Sequence, residues 1–302
     1  MIPVRRDAPL WRLAGGTSLD TSRPLVMGIL NVTPDSFSDG GELAGDPSLA
    51  LDRARAMVEA GAALLDVGGE STRPGADPVP EAEEIRRVLP VVKALTGELS
   101  VPVSVDTRKA AVARAALAAG AVIVNDVSGL THDPAIGGVV AEGRAGLVLM
   151  HMRGEPATMM QHAHYDDVAA DVQNELRVAV ESARRAGVAD DAIVVDPGIG
   201  FAKTAEQSLV LLHRLEVLAE LGRPVLVGPS RKSFLGHILK VPPAQRVVGT
   251  AAACVAAYFA GASIFRVHDV GVAVEALRVA EAIAGEVLPE RLGVPATVAP
   301  TP

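Results

Sequence analysis

The chain has 302 residues, 49% of them hydrophobic and only 3% aromatic, with a formal net charge of −8. That length suits one large domain, and Ala, Val and Leu must supply most of its packing. The acidic balance argues against nucleic acid or an anionic membrane as a partner. The lone Cys254 excludes an intramolecular disulfide framework, and no apolar run reaches the ~18 residues of a membrane span.

The first residues, MIPVRRDAPLWRL, lack the apolar block that follows the basic region of a secretory signal. A cytoplasmic protein is therefore expected. Cys254 lies in GTAAACVAAYFA and reads as a buried packing residue. Residues 1–24 read as a short N-terminal extension and 25–288 as one domain. The Pro-rich stretch 289–302 reads as a disordered tail.

Eight short apolar runs follow one another: 25–31, 63–68, 102–106, 121–125, 146–151, 192–196, 224–228 and 263–268. Each ends in polar residues, and helix-like, often Ala-rich segments separate them. A parallel strand buried on both faces reads as such a run. Glycines at 61, 120, 187 and 261 stand where a helix must end before the next strand, a position that favours a left-handed residue. The segments around Gly143 and Gly222 look like looser versions. Repeated units of this kind build either a doubly wound sheet or a (β/α)8 TIM barrel, and the count of eight favours the barrel. In a barrel the active site lies at the C-terminal ends of the strands, so the polar endings should share one face.

The first strand runs into LNVTPDSFSDGG, a loop that is a surface turn or a functional flap. Asn31 at its start offers an amide oxygen suited to a hard cation. Phe37 gains nothing in a polar loop unless it covers something. After the second strand, Thr72, Arg73 and Pro74 form a stiffened loop, with Arg73 either a solvated arginine or an anion contact. Strands three, four and six end in Asp106, Asn125 and Asp196. Each Asp could simply cap a following helix. Converging on one barrel mouth, the three would instead supply acceptors to a flat, NH-rich heterocycle, because an unpaired buried carboxylate is costly. In the fifth strand, Met150 and His151 read as core residues. After the seventh, Ser230 reads as a helix N-cap with Arg231, Lys232 and Ser233 in the first turn. Arg231 and Lys232 are either part of a solvated basic turn or, since cations are unfavourable at that end of a helix, the walls of an anion site. In the eighth, Arg266 and His268 alternate with apolar residues and should face the same side, where they suit an anion such as a phosphate.

Taken in order, ILNVTPDSFSDGG, LLDVGGESTRPGA, SVDT, IVNDVSG, LMHM, VVDPGIGFAKT, VGPSRKS and RVHDV strongly resemble the dihydropteroate synthase family, from about residue 26 to 283. The resemblance implies a (β/α)8 barrel. It also implies condensation of (7,8-dihydropterin-6-yl)methyl diphosphate with 4-aminobenzoate, giving 7,8-dihydropteroate and pyrophosphate in folate biosynthesis, with Mg²⁺. Carried over residue by residue, Asp106, Asn125, Asp196 and Lys232 would bind the pterin, with Met150, Phe201 and Gly228 lining its pocket. Thr72, Arg266 and His268 would bind the diphosphate, and Asn31 the metal. Phe37, Pro74 and Ser233 would shape the aminobenzoate site, whose carboxylate would lie near the helix expected to begin at Ser230. Asp39 and Arg73 would close over the reaction, and with Lys232 form the catalytic set. The resemblance further implies a homodimer, for which the apolar 249–260 segment is the expected contact. Ordinary sulfonamide sensitivity is also implied, since no extra residues follow Pro74. Two other readings are open. A methyltetrahydrofolate-type pterin methyltransferase shares the Asp/Asn pocket but has no use for the diphosphate set or the two long loops. A non-catalytic pterin-binding paralogue would be signalled by loss of Asn31, Arg73, Lys232 or Arg266, although all four are present.

Overall fold

A computed structural model describes residues 10–33, 46–73 and 75–285. The expected disordered tail and the segment 1–9 lie outside them. The described chain opens with a two-stranded antiparallel hairpin, β1 (Trp11–Arg12) and β2 (Ser18–Leu19). Eight parallel strands follow: β3 (Leu25–Asn31), β4 (Leu64–Gly68), β5 (Val103–Asp106), β6 (Ile123–Asp126), β7 (Gly146–Met150), β8 (Ile193–Asp196), β9 (Leu226–Val227) and β10 (Ile264–Val267). Their order is β8-β7-β6-β5-β4-β3-β10-β9. A parallel bridge between Val195 and Val225 joins the two ends, so the sheet closes into the expected barrel. Each strand matches one of the eight apolar runs, with ends trimmed or shifted by a residue or two.

Helices α1 (Pro47–Glu59), α2 (Glu81–Glu98), α3 (Ala110–Ala118), α4 (Ala135–Gly143), α5 (Val168–Arg185), α6 (Ala205–His213), α7 (Ser233–Leu239), α8 (Val247–Phe259) and α9 (Val270–Gly285) cover the outside. Their sequences explain their placement. On α5, Val168, Val172, Leu176, Val180 and Ala183 recur at helical spacing and are buried against the barrel. Asp167 caps its first turn by accepting from Ala169 and Ala170, and Thr204 with Gln207 forms a full capping box on α6. Gly61, Gly120, Gly187 and Gly261 all take positive φ between a helix and the next strand, as their spacing implied. The looser junction after α4 differs: Arg144, not Gly143, is the left-handed residue there.

The initial hairpin belongs to the core. Trp11 and Leu13 are buried and pack with Met27, Leu64, Ile123, Val148, Val194, Leu226 and Ile264, the inward side chains at the N-terminal end of the barrel. The Trp11 indole Nε1 donates to the Ala192 carbonyl at 2.9 Å, so its polar atom is satisfied as well. The plug closes the barrel floor, leaving the opposite mouth as the open end.

Candidate active site

Side chains alternate inward and outward along a strand. Counting by two from the apolar floor therefore reaches the mouth on every strand: Met27 to Ile29 to Asn31, Leu64 to Asp66, Ile123 to Asn125, Val148 to Met150, Val194 to Asp196, Leu226 to Gly228, Ile264 to Arg266. On β5, Ser104 and Asp106 take the inward positions, with Val103 and Val105 facing the helices. The mouth opens into a cavity of about 550 Å³. Asn31, Thr72, Arg73, Asp106, Asn125, Met150, Asp196, Phe201, Gly228, Lys232, Ser233, Arg266 and His268 all line it. Every expected site residue within the described chain is thus gathered in one place.

The base of the cavity carries the acceptors. Arg266 Nε donates to Asp66 Oδ2 at 2.6 Å, and its Nη2 donates to Asp106 Oδ2 at 2.7 Å. Asn125 Nδ2 donates to the same Asp66 oxygen at 2.9 Å. Asp106 is therefore tied to Arg266 and does not cap α3. Burial pushes Asp106 up to about 7, against the attraction of Arg266 and with the repulsion of Asp66. Burial likewise raises Asp196 to about 6, although the Gly198 N–H bonds its Oδ1 at 2.7 Å. Lys232 stands 3.9 Å from the centre of the Phe201 ring, and burial followed by repulsion from Arg266 lowers it to about 8.

These values fix a pH dependence. A ligand that offers N–H groups binds the ionised carboxylates, so protonation opposes it. As pH falls from 8 through 7 and 6, affinity for the pterin that the sequence resemblance implies should fall, approaching about tenfold per pH unit for each carboxylate protonated. Calorimetric titration with 6-hydroxymethylpterin across that range checks this, and a flat affinity would contradict it.

The cationic side faces the same cavity. His268 Nδ1 and the Ser230 hydroxyl lie 2.9 Å apart, and the His268 backbone N–H also reaches that hydroxyl. Burial first, then Arg231, Arg266 and Arg73, hold His268 well below its usual range. An incoming phosphate would relieve that repulsion. Ser230 is not the N-cap expected from the sequence: α7 starts at Ser233, and its N-cap position is Lys232. Arg231 adopts φ +57°, which stops a helix from starting earlier, and the Ser230 hydroxyl is engaged with His268. Arg231 itself pairs with Asp269 at 2.7 Å, which anchors the turn.

Comparison with known proteins agrees with this arrangement. A family model described as "Pterin binding enzyme" matches residues 27–268. A dihydropteroate synthase of Synechocystis sp. is 51% identical over 262 residues, 86% of this chain and 90% of that protein. The Escherichia coli K12 enzyme of the same name is 47% identical, covering 89% of this chain and 95% of its own length. The chain belongs to the dihydropteroate synthase family. Solved members superpose closely. The Yersinia pestis synthase, solved with a sulfonamide drug complex, has a TM-score of 0.87 at 47% identity over 90% of this chain and 98% of that one. The Xanthomonas albilineans synthase with 4-aminobenzoic acid has a TM-score of 0.84 at 44% identity, over 95% and 100%.

Three of the residues that the dihydropteroate synthase resemblance pointed to, Phe37, Asp39 and Pro74, lie outside the described chain. Other charged residues beneath the cavity were not anticipated. Asp66 is fully buried, holds both Asn125 and Arg266, and sits mid-strand rather than at a tip. The same cost of burying a carboxylate that singled out Asp106 and Asp196 would have found it. Beneath the Thr72–Arg73 loop lies a buried ion network. Arg108 bonds Glu70 at 3.2 Å and also Glu155, and Lys109 bonds Glu84 at 2.5 Å and Glu70 at 3.1 Å. Glu70 also accepts the Val79 N–H at 2.8 Å, which closes the base of that loop.

Proposed function

We infer that the protein condenses (7,8-dihydropterin-6-yl)methyl diphosphate with 4-aminobenzoate, releasing pyrophosphate and 7,8-dihydropteroate. One observation carries this beyond family membership: buried acceptors and a cationic wall line a single cavity, joined at its base by Arg266. Asp106, Asn125 and Asp196 suit the NH-rich edge of a pterin, and Met150 and Phe201 suit its flat faces. Thr72, Arg73, Arg266 and His268 suit a diphosphate. Three of the five guanidinium N–H groups of Arg266 take no part in its two carboxylate bonds.

The chemistry follows from that placement. Cations beside the diphosphate stabilise the charge that grows on the leaving pyrophosphate. The dihydropterin ring delocalises positive charge from its methylene carbon, so C–O cleavage precedes attack. Asp106 and Asp196, ionised against the ring, favour that cationic state. The 4-aminobenzoate nitrogen then forms the new C–N bond and loses a proton. Arg73 lines the cavity, where it would help keep water from intercepting the cation. Ser233 lines the same cavity and would shape the aminobenzoate side. A methyltransferase or a non-catalytic paralogue would have no use for the cationic wall.

Mg²⁺ fits the residues present. Among the described residues no group of three His, Cys, Asp or Glu side chains is gathered to hold a metal. Asn31 lines the cavity with one amide oxygen, which suits an ion that keeps several waters and shares the substrate's phosphates. Bound there by Asn31, Mg²⁺ would neutralise phosphate charge as a Lewis acid.

The direct experiment is chromatographic detection of 7,8-dihydropteroate after incubation with both substrates and Mg²⁺. Product that requires both substrates supports the reading, and its absence overturns it. Sulfonamides, as mimics of 4-aminobenzoate, are expected to compete in the same assay.

A cytoplasmic homodimer is also proposed. Among the described residues no helix is long and apolar enough to cross a membrane. Neighbouring helices α7, α8 and α9 turn apolar side chains outward, with Ile238 53%, Val248 79%, Val279 60% and Ile283 65% exposed. A second copy covering this surface would remove it from water. Light scattering at micromolar concentration should give the dimer mass, and a monomer mass would refute the proposal.

A further inference from the structure

Lys203 lies outside the cavity and is buried. Its ammonium has three N–H bonds to give, and three acceptors surround it: His151 Nδ1 at 2.9 Å, the Gly198 carbonyl at 3.1 Å and the Phe201 carbonyl at 2.9 Å. His151 is correspondingly the tautomer with its proton on Nε2, which faces Glu175 of α5 at 3.0 Å. Burial, then the charge of Lys203, lowers His151 to about 4 and keeps it neutral.

The segment held in this way is unusual. Gly198, Gly200 and Ala202 all have positive φ, of 67°, 79° and 48°. A Cβ on Gly198 would stand 2.0 Å from the His151 carbonyl oxygen. The left-handed conformation costs free energy at Ala202 and persists there only because its surroundings fix it. The Tyr165 hydroxyl bonds the Ala202 carbonyl at 2.9 Å, and the Arg153 guanidinium stacks on the Tyr165 ring at 4.0 Å. The turn begins beside Asp196, whose Oδ1 accepts the Gly198 N–H, and it delivers Phe201 to the cavity against Lys232.

We propose that Lys203 is a positioning residue for pterin binding: its ammonium ties the β7 and β8 loops together and sets where Phe201 and Asp196 stand. Burial pulls its amine down to about 7, so the charged form depends on its acceptors and on the carboxylates of Asp196 and Glu175. The inference rests on the pterin reading of the cavity.

The test is calorimetry on the full chain with two probes, 6-hydroxymethylpterin and inorganic pyrophosphate. Lys203→Met should weaken pterin binding about tenfold or more while pyrophosphate binding stays within about threefold. Lys203→Gln, which keeps two N–H donors, should fall between Met and wild type, and it carries the test if the Met variant does not fold. In a Phe201→Leu background, Lys203→Met should add less than its effect alone, because the two act through one contact. Unchanged pterin affinity in the variants, equal loss for both probes, or full additivity with Phe201→Leu would overturn the proposal. Failure of the wild-type protein to bind pterin would instead overturn the functional reading.

Discussion

Asp196→Asn should leave the fold intact and weaken pterin binding by at least about a hundredfold, since it removes a charge-assisted bond and sets a donor against a donor. The local geometry explains why the amide cannot simply adapt. The Gly198 N–H bonds Asp196 Oδ1 at 2.7 Å, so the amide oxygen must take that position. Its NH₂ group then replaces the other oxygen and confronts the pterin N–H edge. Folding should not suffer, because a carboxylate raised to about 6 by burial gains little from being charged. Calorimetry and thermal melting together test this. Near-native affinity, or a variant that unfolds, would count against it.

Arg266→Met should cost about 3–5 kcal/mol of stability, the range found when one partner of a buried ion pair is removed. Asp66 is wholly buried and Asp106 nearly so, and Arg266 joins them both. Without the guanidinium the two carboxylates repel each other in a dry site. The folded-state pKa of Asp106, already raised by burial, should then rise further above the unfolded value, so the folded state holds an extra proton. The deficit should therefore be smaller at low pH and grow as pH rises through the folded pKa, which for Asp106 is already about 7 in the intact site. Urea unfolding at pH 5.5 and pH 8 measures it. Equal deficits at both pH values would contradict this account of the three-residue cluster.

The barrel and its mouth were legible in the sequence for a physical reason. A strand buried on both faces must be apolar except where it meets the site, so Asp106, Asn125, Asp196 and Arg266 stood out against their runs. The helix-ending glycines were legible because a left-handed residue carries a steric preference. Arg144 and Arg231 adopt the same conformation without that preference, and nothing local marked them. The start of α7 was misplaced for that reason. Asp66 escaped because attention to strand tips passes over a charge in mid-strand. Lys203 escaped because two of its acceptors are backbone carbonyls and the third, His151, is remote in sequence. The hairpin bearing Trp11 was hidden in what looked like an extension, since its partner Ala192 is at the far side of the chain.

The most direct test of the central claim is to measure pyrophosphate and 7,8-dihydropteroate together, with Mg²⁺, in the presence and absence of 4-aminobenzoate. The account predicts one pyrophosphate released for each dihydropteroate formed, and little sustained release when the amine is left out. Pyrophosphate release at the same rate without 4-aminobenzoate, or none with both substrates present, would contradict it.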